Sequence, residues 1–370
     1  MSERLILWGP PVVESSPLDP DYVEHLPGWV EKCADVGVTK IIDGSARVLP
    51  WGDLTRALTE AAHQVGIKFD PYVDYNSFPR YGSSRVTRAW SLDFLRRDVT
   101  APGSRETMDQ HRPIYDPPKV STTIADFATQ HPQYRRLTRS RPYNLQPGED
   151  LYLSPAFPEV RAHQVRMFVD VLKATNGDGI QVECVLGNED EDGVVTYGYE
   201  DRTVSEFRAK YGKDPFELPN NDPEWMQFRA DYMTLFLSEL RDGIKQTSPD
   251  AVLSTTIIAA EEADYIKVLQ DWPAWIEQGL LDEFYIWFRT DSDLKALERQ
   301  VRLAVDVAAG RVPVIAELSC YHPGSFQDPD LMVSAGRIAV DNGASGVGIY
   351  KSHAVEQLDF WPVLEDLGKI

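Results

Sequence analysis

The chain is 370 residues long, 42% hydrophobic and 11% aromatic, which suffices for a large packed core and excludes global disorder. A formal charge of −21 excludes nucleic acid as a partner, since such binding needs a cationic face, and no run approaches the ~18 consecutive apolar residues of a membrane span. The first residues lack the pattern of a secretory leader, so the chain as given reads as cytoplasmic, compatible with a leader already removed; Cys33, Cys184 and Cys320, odd in number and far apart, predict reduced thiols rather than a disulfide framework or a thiolate zinc site.

Taken in order, an apolar run at 5–8 ends in Gly9-Pro10-Pro11, and a helix over 27–36 is closed by Gly37. A strand over 39–44, a helix over 54–65 with Gly66 beyond its end and a strand over 68–75 follow. Alternation then stops for residues 76–155, a stretch rich in Pro, Arg, Tyr and Ser. It carries eleven Arg and one Lys against eight Asp and Glu, so a locally basic insertion sits on a remainder of about −25. Pro158 opens a helix with Val165, Phe168, Val169 and Leu172 on one face.

The stretch 179–185 is too short for a helix between its flanking turn residues and predicts a buried strand with Gln181 and Glu183 on one face. A shorter excursion to about residue 223 includes a helix over 204–211. A long amphipathic helix then lines up Trp225, Phe228, Tyr232, Leu235 and Phe236 as core. Strands over 252–259, 283–289, 314–320 and 346–350 alternate with helices over 266–278, 294–309, 331–342 and 355–367. Eight strand–helix alternations without a Gly-rich phosphate fingerprint predict an α/β single-domain (β/α)8 TIM barrel, with a long insertion after strand 3 and a shorter one after strand 4, rather than a doubly wound sheet.

In such a barrel, chemistry sits at the C-terminal strand ends. Those positions give Trp8, Asp43, Asp70, Asp74, Glu183, Trp287, Arg289, Glu317, Tyr321, His322, Tyr350, Lys351 and His353. Aromatic faces with carboxylates suit sugars, and two carboxylates can cleave a glycosidic bond. Glu183 on strand 4 and Glu317 on strand 7 are the expected pair, as acid/base and nucleophile of a retaining glycoside hydrolase; the others are expected to bind substrate. The competing reading of Glu317 is an ion pair with Lys351 or an insertion Arg. Glu261 and Glu262 read as favourable charges at a helix start, and the acidic run 188–193 as a solvated loop without the ligand pattern of an EF-hand. His322 and His353 lack the companions of a metal hydrolase, so neither metal nor cofactor is expected. Arg135, Arg136, Arg139 and Arg141 either recognise an anionic sugar or dock the insertion onto the acidic body. The alternatives in other classes are a catalytically silent carbohydrate-binding barrel and a Schiff-base lyase or aldolase using Lys351.

The run Leu151-Tyr152-Leu153-Ser154-Pro155-Ala156-Phe157-Pro158-Glu159-Val160-Arg161, followed by Asp178-Gly179-Ile180-Gln181-Val182-Glu183, resembles the glycosyl-hydrolase-like (β/α)8 barrels. The similarity continues through Tyr197-Gly198-Tyr199, Phe207, Tyr211-Gly212, Asp214-Pro215, Trp225, Arg229, Gln270-Asp271-Trp272 and Trp275. The resemblance implies carbohydrate hydrolysis and places an active-site acid on Glu183, where those relatives usually carry Asp. The Glu183 and Glu317 pair is also similar to that of the large retaining glycosidase clan with this barrel, although Val182 stands where that clan usually has Asn.

Overall fold

The computed structural model describes residues 4–9, 22–43, 52–74, 127, 130–140, 152–184, 189–258, 264–288, 293–321 and 324–370. Eight parallel strands close into one barrel in chain order: β1 (Arg4–Trp8), β2 (Val38–Asp43), β3 (Lys68–Asp74), β4 (Gly179–Glu183), β5 (Val252–Ile258), β6 (Glu283–Phe288), β7 (Val314–Ser319) and β8 (Gly346–Tyr350). The helices are α1 (Tyr22–Asp35), α2 (Gly52–Gln64), α3 (Pro158–Thr175), α4 (Asp201–Tyr211), α5 (Pro223–Thr247), α6 (Asp264–Lys267), α7 (Trp272–Glu277), α8 (Leu294–Ala308), α9 (Pro329–Asp341), α10 (Ser352–Gln357) and α11 (Trp361–Leu367). The predicted TIM barrel and its two insertions are therefore present.

Sequence chemistry explains the element ends. Pro158, Pro223 and Pro329 stand in the first turns of α3, α5 and α9, where a missing N–H matters little. Asp222, Asp293 and Asp328 cap α5, α8 and α9 through their side chains. Two predicted helices are divided. The 266–278 helix breaks at Leu269, whose φ is 59°, and restarts where Asp271 accepts from Ala274 N. The 355–367 helix breaks at Asp359, φ 52°. In both cases a residue in left-handed backbone ends one helix before the next begins. Helix α1 starts earlier than predicted and runs through Pro27, its sixth residue, which has no N–H to give to the carbonyl four residues before it.

Alternate strand residues face outward and pack under the helices. Leu5, Ile41, Phe69, Ile180, Leu253, Phe284 and Ile349 all join the main core, and α3 meets α5 through an edge-on Phe168–Phe236 contact of 5.8 Å. Following the pairing register once around the barrel returns eight residues from the start, the stagger of a TIM barrel. That register stacks the inward residues in layers. From the N-terminal end they are Lys40, Gly179, Glu283 and Gly346; Ile6, Asp70, Ser254 and Ile315; Ile42, Gln181, Tyr285 and Gly348; Trp8, Tyr72, Thr256 and Glu317; and finally Glu183, Trp287 and Tyr350.

The lowest layers form an ionic plug. Lys40 Nζ donates to Asp70 Oδ2 at 2.7 Å and to Glu283 Oε1, Arg4 Nη1 donates to Glu283 Oε2 at 2.6 Å, and Tyr285 Oη donates to Glu283 Oε1 at 2.8 Å. Glycine makes the room. A Cβ on Gly346 would lie 2.3 Å from Arg4 O, and one on Gly179 2.8 Å from Asp70 Oδ1. Asp70 is thus corrected from a mouth residue to a plug residue, because it is third of seven in β3 and two layers below Tyr72's end of the barrel.

Candidate active site

The top two inward layers place Glu183, Trp287 and Tyr350 above Trp8, Tyr72, Thr256 and Glu317. Trp8 is the floor. Its ring meets Tyr72 at 5.4 Å, Tyr285 at 5.8 Å and Tyr350 at 5.9 Å, while Trp287 meets Tyr350 at 5.7 Å. Gly348 lies beside Trp8, where a Cβ would stand in ordinary contact with Trp8 Nε1 and the Glu317 Cα, 3.5 and 3.7 Å away.

Glu317 is 1% exposed and accepts a hydrogen bond from Thr256 Oγ1 at 3.1 Å. Burial pushes its carboxyl up to about 8; the like charge of Glu183 pushes the same way, and the Thr256 hydroxyl and Lys351 ammonium oppose both. Glu183 ends β4, one layer nearer the mouth and partly exposed. The two acids therefore sit in adjacent layers and interact through their charges.

The remaining expected residues separate into groups. Lys351, 8% exposed, lies over the Tyr350 ring at 4.5 Å and the Tyr321 ring at 5.5 Å, beside Glu317 in charge terms. His353 is buried in the first turn of α10, edge-on to Tyr321 at 4.8 Å. Asp43 is buried with the strand parity of Ile41, the helix-facing side, not that of Lys40 and Ile42. Asp74 pairs in register with Glu183; its side chain, together with Arg289, His322, Glu261 and Glu262, lies outside the described residues. Among the described residues, no group of three or more His, Cys, Asp and Glu could hold a metal ion.

The basic insertion is described only at Phe127 and over 130–140 and 152–155. Its strap is stitched by Arg136 N to Tyr152 O at 2.8 Å, Ser154 N to Tyr134 O at 2.8 Å and Tyr199 N to Leu137 O at 3.0 Å. Arg136 donates to Leu153 O and stacks on Tyr152 and Tyr197, and Arg139 donates to Tyr199 Oη and Leu218 O. Arg136 and Arg139 thus hold the described part of the strap through carbonyls and rings, and the Arg136 charge also faces the buried Glu200 carboxylate. Arg141 lies outside the described residues. In the acidic run, expected to be a solvated loop, Glu189, Glu191 and Asp192 are exposed, and Asp190 holds the turn by accepting from Val194 N at 3.0 Å and from Asn220 Nδ2 at 2.7 Å.

Sequence reasoning missed Ser254 and Thr256. Their signal was present but blurred by Thr255 between them: Ser254 and Thr256 are spaced by two on one face of β5, matching Gln181 and Glu183 spaced by two on its neighbour.

Residues 118–313 match the family described as glycosyl hydrolase-like 10. No curated protein matches the sequence. Among solved structures, the glycoside hydrolase domain of PgaB (BpsB) from Bordetella bronchiseptica is 14% identical with a TM-score of 0.63 over 99% of this chain and 98% of that one. The β-galactosidase from Rahnella sp. R3 is 15% identical, TM-score 0.59, over 100% of this chain and 57% of that one. The β-galactosidase from Bacillus circulans sp. alkalophilus is 13% identical, TM-score 0.59, over 100% and 55%. The chain thus spans little more than half the length of these β-galactosidases, and at such identities the likeness is one of fold.

Proposed function

The chain belongs to the glycosyl hydrolase-like 10 family, and from that premise we propose that it is a retaining glycoside hydrolase acting on an oligo- or polysaccharide. The observation that carries the reading is the Glu183–Glu317 pair: two inward glutamates in adjacent layers of β4 and β7, one partly open and one buried, with the charge of Glu183 acting on Glu317. Aromatic rings of Trp8, Trp287 and Tyr350 supply faces on which a sugar ring can stack.

In this mechanism a Glu317 carboxylate oxygen bonds to the anomeric carbon as the glycosidic C–O bond breaks, and Glu183 gives its proton to the departing oxygen. Glu183 then takes a proton from water, whose oxygen displaces Glu317 from the same carbon. The reactive form needs the pair's one proton on Glu183. At rest burial favours it on Glu317, whose carboxyl is pushed up to about 8. The alkaline limb of kcat/KM is expected there. Lys351, over two aromatic rings and beside Glu317, is placed to favour the Glu317 anion rather than to act as the neutral amine a Schiff base requires.

The test is a panel of aryl glycosides and oligosaccharides, with proton NMR of the first-formed anomer. Retention of configuration with an alkaline limb near pH 8 supports the mechanism. Inversion removes the nucleophile role from Glu317, and binding without turnover by any sugar makes the protein a silent carbohydrate-binding barrel.

A further inference from the structure

We propose that Ser254, Gln181 and Thr256 form a positioning chain that climbs the inside of the barrel and delivers one oriented hydroxyl to Oε2 of Glu317, leaving Oε1 as the oxygen for the reacting carbon. The inference rests on the reading of Glu317 as nucleophile. None of the three residues was singled out by its own chemistry in the sequence, and none belongs to the acid pair.

The polarity of the chain follows from counting hydrogens. The Ser254 hydroxyl donates to Gln181 Oε1, which commits the other end of that amide: Gln181 Nε2 donates to Thr256 Oγ1 at 2.9 Å. Thr256 has one hydroxyl hydrogen, and with its oxygen already accepting, that hydrogen goes to Glu317 Oε2 at 3.1 Å. Each step rises one inward layer, from Ser254 to Gln181 to Thr256 beside Glu317. Register locks the rungs, since Gln181 pairs with Ser254 and Glu183 with Thr256. All three side chains are buried, so the direction is fixed away from competing water.

A packing role alone does not explain this composition. Apolar side chains would fill the same interior positions, as Ile6, Ile42 and Ile315 do. A chain of neutral donors ending on a carboxylate stabilises its charged form in place and restricts its rotation through a directed bond, which the undirected attraction of the nearby Lys351 ammonium does not supply. The chain favours the reactive proton arrangement, with the charge on Glu317 and the proton on Glu183.

The experiment is a carboxyl carbon-13 NMR titration of glutamate-labelled protein, with Glu317 assigned by its loss in Glu317→Gln, run alongside kinetics. In Thr256→Val the Glu317 midpoint is expected to move up from about 8 by about one pH unit; kcat is expected to fall about tenfold with KM little changed. Thr256→Ser is expected to restore both. Gln181→Leu, which keeps Thr256 but removes the rung that orients it, is expected to move the midpoint the same way by less, and serves if Thr256→Val does not fold. An unmoved midpoint in a folded Thr256→Val or Gln181→Leu protein overturns the chain. A midpoint that moves in a wild-type background that turns over no glycoside upholds the chain and overturns only the nucleophile reading.

Discussion

The two ends of this barrel bury acids in opposite ways. At the N-terminal end, Asp70 and Glu283 surround Lys40, which is itself 4% exposed, and Arg4 and Tyr285 complete the set. At the mouth, Glu317 is as deeply buried as either, yet its hydrogen bond comes from a neutral hydroxyl and its neighbour Glu183 repels it. Acids neutralised by direct ion pairs close the base of a fold. An acid held by neutral donors beside a like charge stores a proton and can exchange it.

The largest effect expected at the mouth is chemical. Glu317→Gln and Glu183→Gln, each made separately, are expected to lower kcat on any hydrolysed glycoside by on the order of 10³-fold or more, with circular dichroism unchanged. Near-normal turnover in either would remove that residue from the reaction. At the plug the expectation reverses. Lys40→Met leaves the buried Asp70 without its cation and Glu283 with Arg4 alone, and is expected to cost about 3–5 kcal/mol in urea unfolding, while any folded fraction keeps its kcat. If Lys40→Met altered kcat in fully folded protein, the division between a structural base and a chemical mouth would fail.

A third prediction separates the two ends by pH. The Glu317 carboxyl is raised in the fold, so its contribution to stability is fully present below its unfolded value of 4.5 and is lost as pH rises through about 8. Glu317→Gln has no such loss. Its unfolding free energy is expected to exceed the wild type's by a margin that grows from pH 4.5 to about 8 and then levels, on the order of 2–4 kcal/mol at the plateau. A margin independent of pH would mean that Glu317 titrates as an ordinary exposed acid. The smallest effect concerns the strap: Arg139→Ala, removing bonds to Tyr199 Oη and Leu218 O from a largely exposed side chain, is expected to cost about 1 kcal/mol. An anionic-sugar role for this arginine would instead show as weaker binding of uronic or sulfated sugars with stability intact.

Much of the site was legible because strand alternation is a local property. Gln181 with Glu183, and Glu317 within its apolar strand, could be assigned to one face by counting in twos. Asp70 was assigned to the correct face and the wrong end. Strand parity says nothing about height in the barrel, which depends on the stagger between strands. Lys40 and Glu283, 243 positions apart, gave no sign of meeting. Leu269 and Asp359, which split two expected helices, carry none of the glycine signal that usually marks left-handed backbone.

The sequence by itself determined that this chain would be a barrel of eight strand–helix units with acids and aromatic residues at its mouth, because hydrophobic period and turn chemistry act over a few residues. Only the tertiary structure decided which acids became partners. An eight-residue stagger set Asp70 against Lys40 and Glu317 against Thr256. Desolvation pushes both carboxyls up, and the partner makes the difference between them: the Lys40 ammonium donates to Asp70, whereas a neutral Thr256 hydroxyl donates to Glu317.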